Sequence, residues 1–249
     1  MKLSLVELAQ KKKLPKYQYM DEITLNWIIK NQPKFSIQNK YYINPSILKR
    51  YKNFIPSKNW FVEKREIKSI HGMRHLLRTE IFSTLLGDLY NFNRRKIQNL
   101  KLAAVLHDIR RRNDKKDLFH GQRSAKWFFR NFSRIKKFFR LSLLDIDIEE
   151  VYYAIYFHEK PYNKIYSTTN YKKHKIAVDL LKTADALDRY RQPKIKWWID
   201  DSYLKLVPNE KLKAFAYNLV VNSEKKYLES GDEIKCIFES LKLLTYEHN

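Results

Sequence analysis

Cysteine, glycine and proline are all scarce in this chain. Its one cysteine, Cys236, excludes an intrachain disulfide framework and a cysteine-built zinc knuckle. Set in Ile234-Lys235-Cys236-Ile237-Phe238, it reads as a small core residue. Four glycines and seven prolines in 249 residues are too few for turn-rich sandwiches, barrels or disordered linkers. The longest apolar run, Val151–Phe157, has seven residues, against the roughly 18 of a membrane span. Glu7 falls where a signal peptide would carry its apolar stretch. Acid is the remaining deficit, since 27 Asp and Glu face 50 Lys and Arg, a formal net charge of +23. A hydrophobic content of 44% still rules out intrinsic disorder. The expectation is a soluble, cytoplasmic, all-α protein with no membrane partner.

What is present is apolar spacing of three and four. Met73, Leu76, Leu77, Ile81, Leu85 and Leu89 predict a helix over 72–91, and Ile97, Leu100, Ala104 and Ile109 predict a second over 95–109. A third follows Gly121 through Ala125, Phe128, Phe129, Phe132, Ile135 and Phe139. Asp145 or Asp147 is placed to cap a fourth, which stops near Pro161. Further helices are expected over 174–190, 209–228 and 232–246. Residues 1–60 read as a basic N-terminal helical extension, with pieces near 3–13, 20–31 and 45–54 broken by Pro15, Pro33, Pro45 and Pro56. Residues 61–249 read as one helical-bundle domain.

Five of the seven histidines lie in the middle of the chain: His71, His75, His107, His120 and His158. A metal site needs neutral imidazoles and carboxylates presented by rigid elements. His75 lies on one predicted helix, His107-Asp108 at the end of the next, and Asp185 on a later one. A bundle can close these four around a single divalent cation. His174 and His248 read as solvated surface residues.

Three longer stretches extend this pattern. They are His71-Gly72-Met73-Arg74-His75-Leu76-Leu77-Arg78, then Leu106-His107-Asp108-Ile109-Arg110-Arg111-Arg112-Asn113-Asp114 continuing through Asp117 to His120-Gly121-Gln122-Arg123-Ser124-Ala125, and Lys182-Thr183-Ala184-Asp185-Ala186-Leu187-Asp188. Together they resemble a bacterial branch of the HD superfamily of metal-dependent phosphohydrolases. Thr79 and Arg112 are small departures from that pattern. The resemblance implies that His75, His107, Asp108 and Asp185 ligate the metal. Two imidazoles and two carboxylates suit Mn, Fe, Co, Ni or Zn, with Mg possible; a second metal is the less expected arrangement. Asp108 would also orient the attacking water, and Arg78, Arg110, Arg111 and Arg123 are expected on the phosphate, where a planar guanidinium binds bidentately. His71, His120 and His158 are expected at the substrate. Asp188 is placed with them, or behind them as an orienter of Arg78 or Arg191.

The cations are clustered. Arg123, Lys126, Arg130, Arg134 and Lys137 recur at spacings of three and four, giving a basic stripe beside an aromatic face. Any one cluster reads as a solvated face, and 35 of the 50 cations are lysine. The total points to a polyanionic partner, a nucleotide or nucleic acid. Three functions follow: a phosphohydrolase cleaving a phosphate ester of a nucleotide, a nuclease or end-processing phosphatase on DNA or RNA, or a non-catalytic nucleic-acid-binding bundle with a structural metal.

Overall fold

A computed structural model of the chain describes residues 3–35, 54–142 and 146–245. Their regular structure is all helical, with no β-strand among the described residues. The helices are α1 (Leu5–Gln10), α2 (Glu22–Lys30), α3 (Met73–Leu89), α4 (Arg94–Leu106), α5 (His120–Arg130), α6 (Phe132–Phe139), α7 (Ile148–Phe157), α8 (Thr169–Leu187), α9 (Glu210–Ser230) and α10 (Lys235–Thr245). No helix among the described residues is long and apolar enough to cross a membrane.

Local chemistry sets most of the boundaries. Ser4 and Glu7 form a capping box at α1, and the side chains of Asp21, Asn93, Asp147, Thr168 and Asn209 accept backbone N–H bonds at α2, α4, α7, α8 and α9. Asp147 is thus the cap of α7, while Asp145 lies outside the described residues. The predicted piece near 45–54 also lies mostly outside them. The third predicted helix is two, because Asn131 leaves the helical region (φ −109°, ψ 13°) and ends α5 before α6 begins. The fifth starts earlier than expected, at Thr169, and is kinked at His174. His174 is buried and stacked on Tyr153, with ring centroids 5.4 Å apart, rather than solvated. His248 lies outside the described residues.

The centre of the fold is the α3–α4 hairpin. It is antiparallel, since His75 at the start of α3 meets His107 just past the end of α4. α7 and α8 cover one side of it, α5 packs on α7, and α9 closes the other side with α10. One buried cluster runs from Met20, Leu25 and Ile28 of the N-terminal segment through Leu76, Phe82, Leu102, Val105 and Leu181 to Phe215 and Ile237. Cys236 is fully buried within it. Burial of this kind contributes about 1.5–3 kcal/mol per large apolar side chain. The arrangement carries the C-terminal ends of α4, α7 and α8 to one place, where carbonyl dipoles favour positive charge.

A buried polar clasp ties the N-terminal segment to that place. Asp114 accepts from the Gln18 backbone N–H (2.6 Å), the Ser69 hydroxyl (2.9 Å) and His71 Nδ1 (2.8 Å). Glu66 stands beside it, 2.9 Å from the same Ser69 hydroxyl. Burial, reinforced by the Asp114 carboxylate, pushes Glu66 up to about 8 from 4.5. Below pH 4.5 Glu66 is protonated in both folded and unfolded chains. Between 4.5 and about 8 the unfolded chain releases this proton and the folded one keeps it, so stability is lost as pH rises through that window. Glu66→Gln keeps the neutral shape and is expected to remove the decline. Urea unfolding near pH 5 and above pH 8 checks this: parallel losses in variant and wild type would contradict it.

Candidate metal centre

Four imidazoles and two carboxylates meet where the helix ends converge. His75 Nε2 lies 3.0 Å from His107 Nε2, 3.6 Å from Asp108 Oδ2 and 3.4 Å from Asp185 Oδ1. His107 Nε2 is 3.8 Å from Asp108 Oδ1 and 4.0 Å from Asp185 Oδ1. On the other side of Asp108, His120 Nε2 and His158 Nε2 are 3.0 Å apart and lie 3.0 and 3.3 Å from Asp108 Oδ1. Two groups that could hold a metal ion therefore share one residue: His75–His107–Asp108 and Asp108–His120–His158. In the sequence, His120 and His158, 38 residues apart, were placed at the substrate, with a second metal the less expected arrangement.

The other ring nitrogen of each imidazole shows what these contacts mean. His107 Nδ1 lies 2.6 Å from Ala104 O, His158 Nδ1 2.7 Å from Ile155 O, and His120 Nδ1 2.7 Å from Asp117 O. Each is the carbonyl three residues earlier, one local device used three times. His75 Nδ1 lies 2.8 Å from Asp188 Oδ2. Carbonyl and carboxylate oxygens only accept, so each Nδ1 carries the hydrogen and each neutral ring presents a bare Nε2 lone pair. Two such lone pairs facing each other at 3.0 Å repel unless a cation or proton lies between them. Asp108 Oδ1, buried among them, has no aligned hydrogen-bond donor. With all four rings neutral, this buried oxygen and the four bare nitrogens fit a divalent cation well.

The electrostatics point the same way. Burial, with Arg191 and His107 adding to it, holds His75 well below the usual histidine range, and burial takes His107 down to about 4. Both are neutral and ready to ligate. Asp185 is held far below the usual carboxylate range: burial opposes its charge, but the groups facing it, the cations Arg189 and Arg191 among them, outweigh it. His120 differs. Burial disfavours its charge, yet Asp108 and Glu159 (Oε2 2.9 Å from Nδ1) raise it to about 9. In the metal-free chain a proton on His120 occupies the place a cation would take.

The other expected site residues divide into those at the cluster and those behind it. Arg111 Nη1 reaches Asp108 Oδ2 (3.4 Å) and His120 Nε2 (3.3 Å). Asp188 is fully buried and orients His75, bonded in turn to Arg78 and Arg191. Arg78 does not face the cluster, for its guanidinium is taken up by Asp188, Ser223 and Glu224. Arg110 points away, donating to Trp60 O (3.0 Å) and lying over the Trp127 ring. Arg123 braces the 110–118 loop through Asp117 and the carbonyls of Arg110 and Leu118. His71 is a neighbour, its ring 5.9 Å from that of His75, but its Nδ1 is engaged by Asp114. Sequence reading gave no role to two residues that shape the site: Glu159, whose adjacency to His158 was the available signal, and Lys182, which donates to His158 O (2.8 Å) and Lys160 O (2.6 Å).

Gly121 follows His120 and cannot be enlarged freely. A Cβ there would stand 2.8 Å from both the His158 ring and Ile155 O. The close passage of α5 over α7 that sets the His120–His158 contact thus depends on this glycine.

No known protein family, characterised protein or solved structure matches the chain.

Arg78→Ala would leave Asp188 and Glu224 buried without their shared cation. A loss of about 3–5 kcal/mol in unfolding free energy is expected, measured by urea titration. Full stability in this variant would mean that the guanidinium is free to serve a ligand.

Proposed function

We propose that the chain is a metal-dependent phosphohydrolase that cleaves a phosphate ester of a nucleotide, with two divalent cations held on either side of Asp108. The single observation that carries this reading is the pair of facing imidazole couples, His75–His107 and His120–His158, with Asp108 between them. The likeness of segments 71–78, 106–125 and 182–188 to HD-superfamily motifs supports it. The expectation of one cation gives way to two in this reading, because His120 and His158 face each other and Asp108 rather than an open pocket.

His75, His107, Asp108 and Asp185 would hold one cation, and Asp108, His120 and His158 the other. The mixed nitrogen and oxygen donors suit Mn, Fe, Co, Ni or Zn better than Mg. Cations bound there would polarise a phosphoryl oxygen and lower the pKa of water, the chemistry that phosphate-ester hydrolysis at neutral pH needs. The chain's own residues do the rest. Asp188 and the carbonyls of Ala104, Asp117 and Ile155 fix the four rings. Asp185, with 21% of its side chain exposed, is the most open of the six and marks the side from which substrate reaches the centre. Arg111, beside Asp108, supplies a guanidinium to the negative charge that grows on the phosphoryl oxygens.

Metal analysis of the purified protein, followed by a phosphate-release screen over nucleotides and cyclic dinucleotides, tests this. Two equivalents per chain are expected in the wild type, and Asp108→Ala should lose both metal and turnover. Arg111→Ala should keep its metal while kcat falls by about 10²–10³. A protein that holds metal tightly but releases no phosphate from any substrate would instead favour a structural metal in a binding module.

A further inference from the structure

From Leu118 to Leu144 the chain contains no Asp or Glu and seven Lys and Arg. This acid-free stretch includes all of α5 and α6. Arg123 is paired with Asp117, but Lys126, Arg130, Arg134, Lys136, Lys137 and Arg140 make no ion pair among the described residues. Five of the six are exposed and Lys136 is half-buried. Some surface lysines elsewhere do meet carboxylates: Lys58 meets Glu233, Lys173 meets Glu149 and Lys213 meets Asp201. The nearest acids on the adjoining α7 are engaged on other sides, Glu149 by Lys173 and Glu150 by Asn99.

Two aromatic rings break the same surface. Phe129 is 63% exposed and Phe138 50%, each held from one edge, by Tyr152 and by Trp60 and Phe139 respectively. A shallow cavity of about 520 Å³ lies beside them, lined by Phe132, Ser133, Lys136, Lys137, Arg140 and Leu141. The track has a definite beginning. The first residue of α5 is His120, whose Nε2 lies 3.0 Å from Asp108 Oδ1. At about 1.5 Å per residue, α5 carries the unpaired cations from the metal centre to a distance of about 15 Å at Arg130.

Unpaired cations at helical spacing attract a linear polyanion, and exposed phenyl rings between them give unpaired bases a face to stack on. Duplex bases, already stacked, have no use for those rings. We propose that α5 and α6 form a docking surface that holds single-stranded nucleic acid close to the centre. The inference rests on the phosphohydrolase reading and specifies its substrate class: the nucleotide whose ester is cleaved belongs to a strand.

The test is fluorescence anisotropy with full-length protein and labelled single strands of DNA and of RNA, across a salt series. The reference variants are Arg130→Glu/Arg134→Glu/Lys137→Glu and Phe129→Ala, with circular dichroism to confirm their folds. Wild type is expected to bind a single strand more tightly than a duplex of the same length. The triple variant should weaken binding at least tenfold and flatten the slope of log affinity against log salt by about 2, as the loss of three phosphate contacts at about 0.7 each requires. Phe129→Ala should weaken it about tenfold with the slope unchanged. The DNA and RNA arms show which strand is preferred. No strand binding by the wild type, duplex preferred over single strand, or a triple variant that binds as the wild type does would each overturn the proposal, as would capture of phosphatidylserine vesicles without strand binding. Metal-dependent hydrolysis of bis(p-nitrophenyl) phosphate by the wild type is read separately. If that fails while strand binding behaves as expected, the surface stands and the catalytic reading falls.

Discussion

Much of this structure depends on an arrangement that neutral side chains alone would resist. Two pairs of imidazole nitrogens face each other at 3.0 Å, His75 against His107 and His120 against His158, with a carboxylate oxygen of Asp108 close to both couples. Each ring has already spent its hydrogen on an oxygen behind it. Lone pairs so placed need positive charge in their midst, and the chain supplies little of its own beyond Arg111 and the proton on His120. The three helix C-termini that end here lean the same way, for their carbonyls favour a cation. A site so short of charge in a chain so rich in it is built to receive charge from outside.

The protein holds this arrangement with a second, fully buried layer of ions. Arg74 and Arg78, one turn apart on α3, grip Glu224 of α9, and Arg78 also grips Asp188, which holds His75. Arg191 ties Asp188 to the carbonyl of Ile70. Buried ions are costly to desolvate and offset that cost only when every one is matched. Here each carboxylate has at least two cationic partners, so the network serves position more than stability. It sets one imidazole from three elements that are remote in sequence, which is what a rigid metal ligand requires.

The helices were legible because period and caps agreed: Asn93, Asp147 and Asn209 stand where an apolar stripe begins. The break at Asn131 was not, since Phe128, Phe132, Ile135 and Phe139 continue the spacing of three and four straight through it. The kink at His174 hid the first turns of α8 in the same way. At the centre, His75, His107, Asp108 and Asp185 were legible as a group from order and spacing. The role of Arg78 was legible only in part: its pairing with Asp188 was one of the readings, but Glu224 lies 146 residues away and only the fold brings it near. The pairing of His120 with His158 was equally hidden, for it follows from α5 crossing α7 at Gly121. The charge excess now has two parts: a few arginines serve the buried network and its loop, while the unpaired cations of α5 and α6 lie outside.

The central claim is that Asp108 stands between two cation positions. Anomalous diffraction at the absorption edge of manganese, from crystals of the manganese-loaded protein, tests it most directly. Two peaks are predicted, one among His75, His107, Asp108 and Asp185 and one among Asp108, His120 and His158. A single peak, or density on neither side of Asp108, would contradict the account.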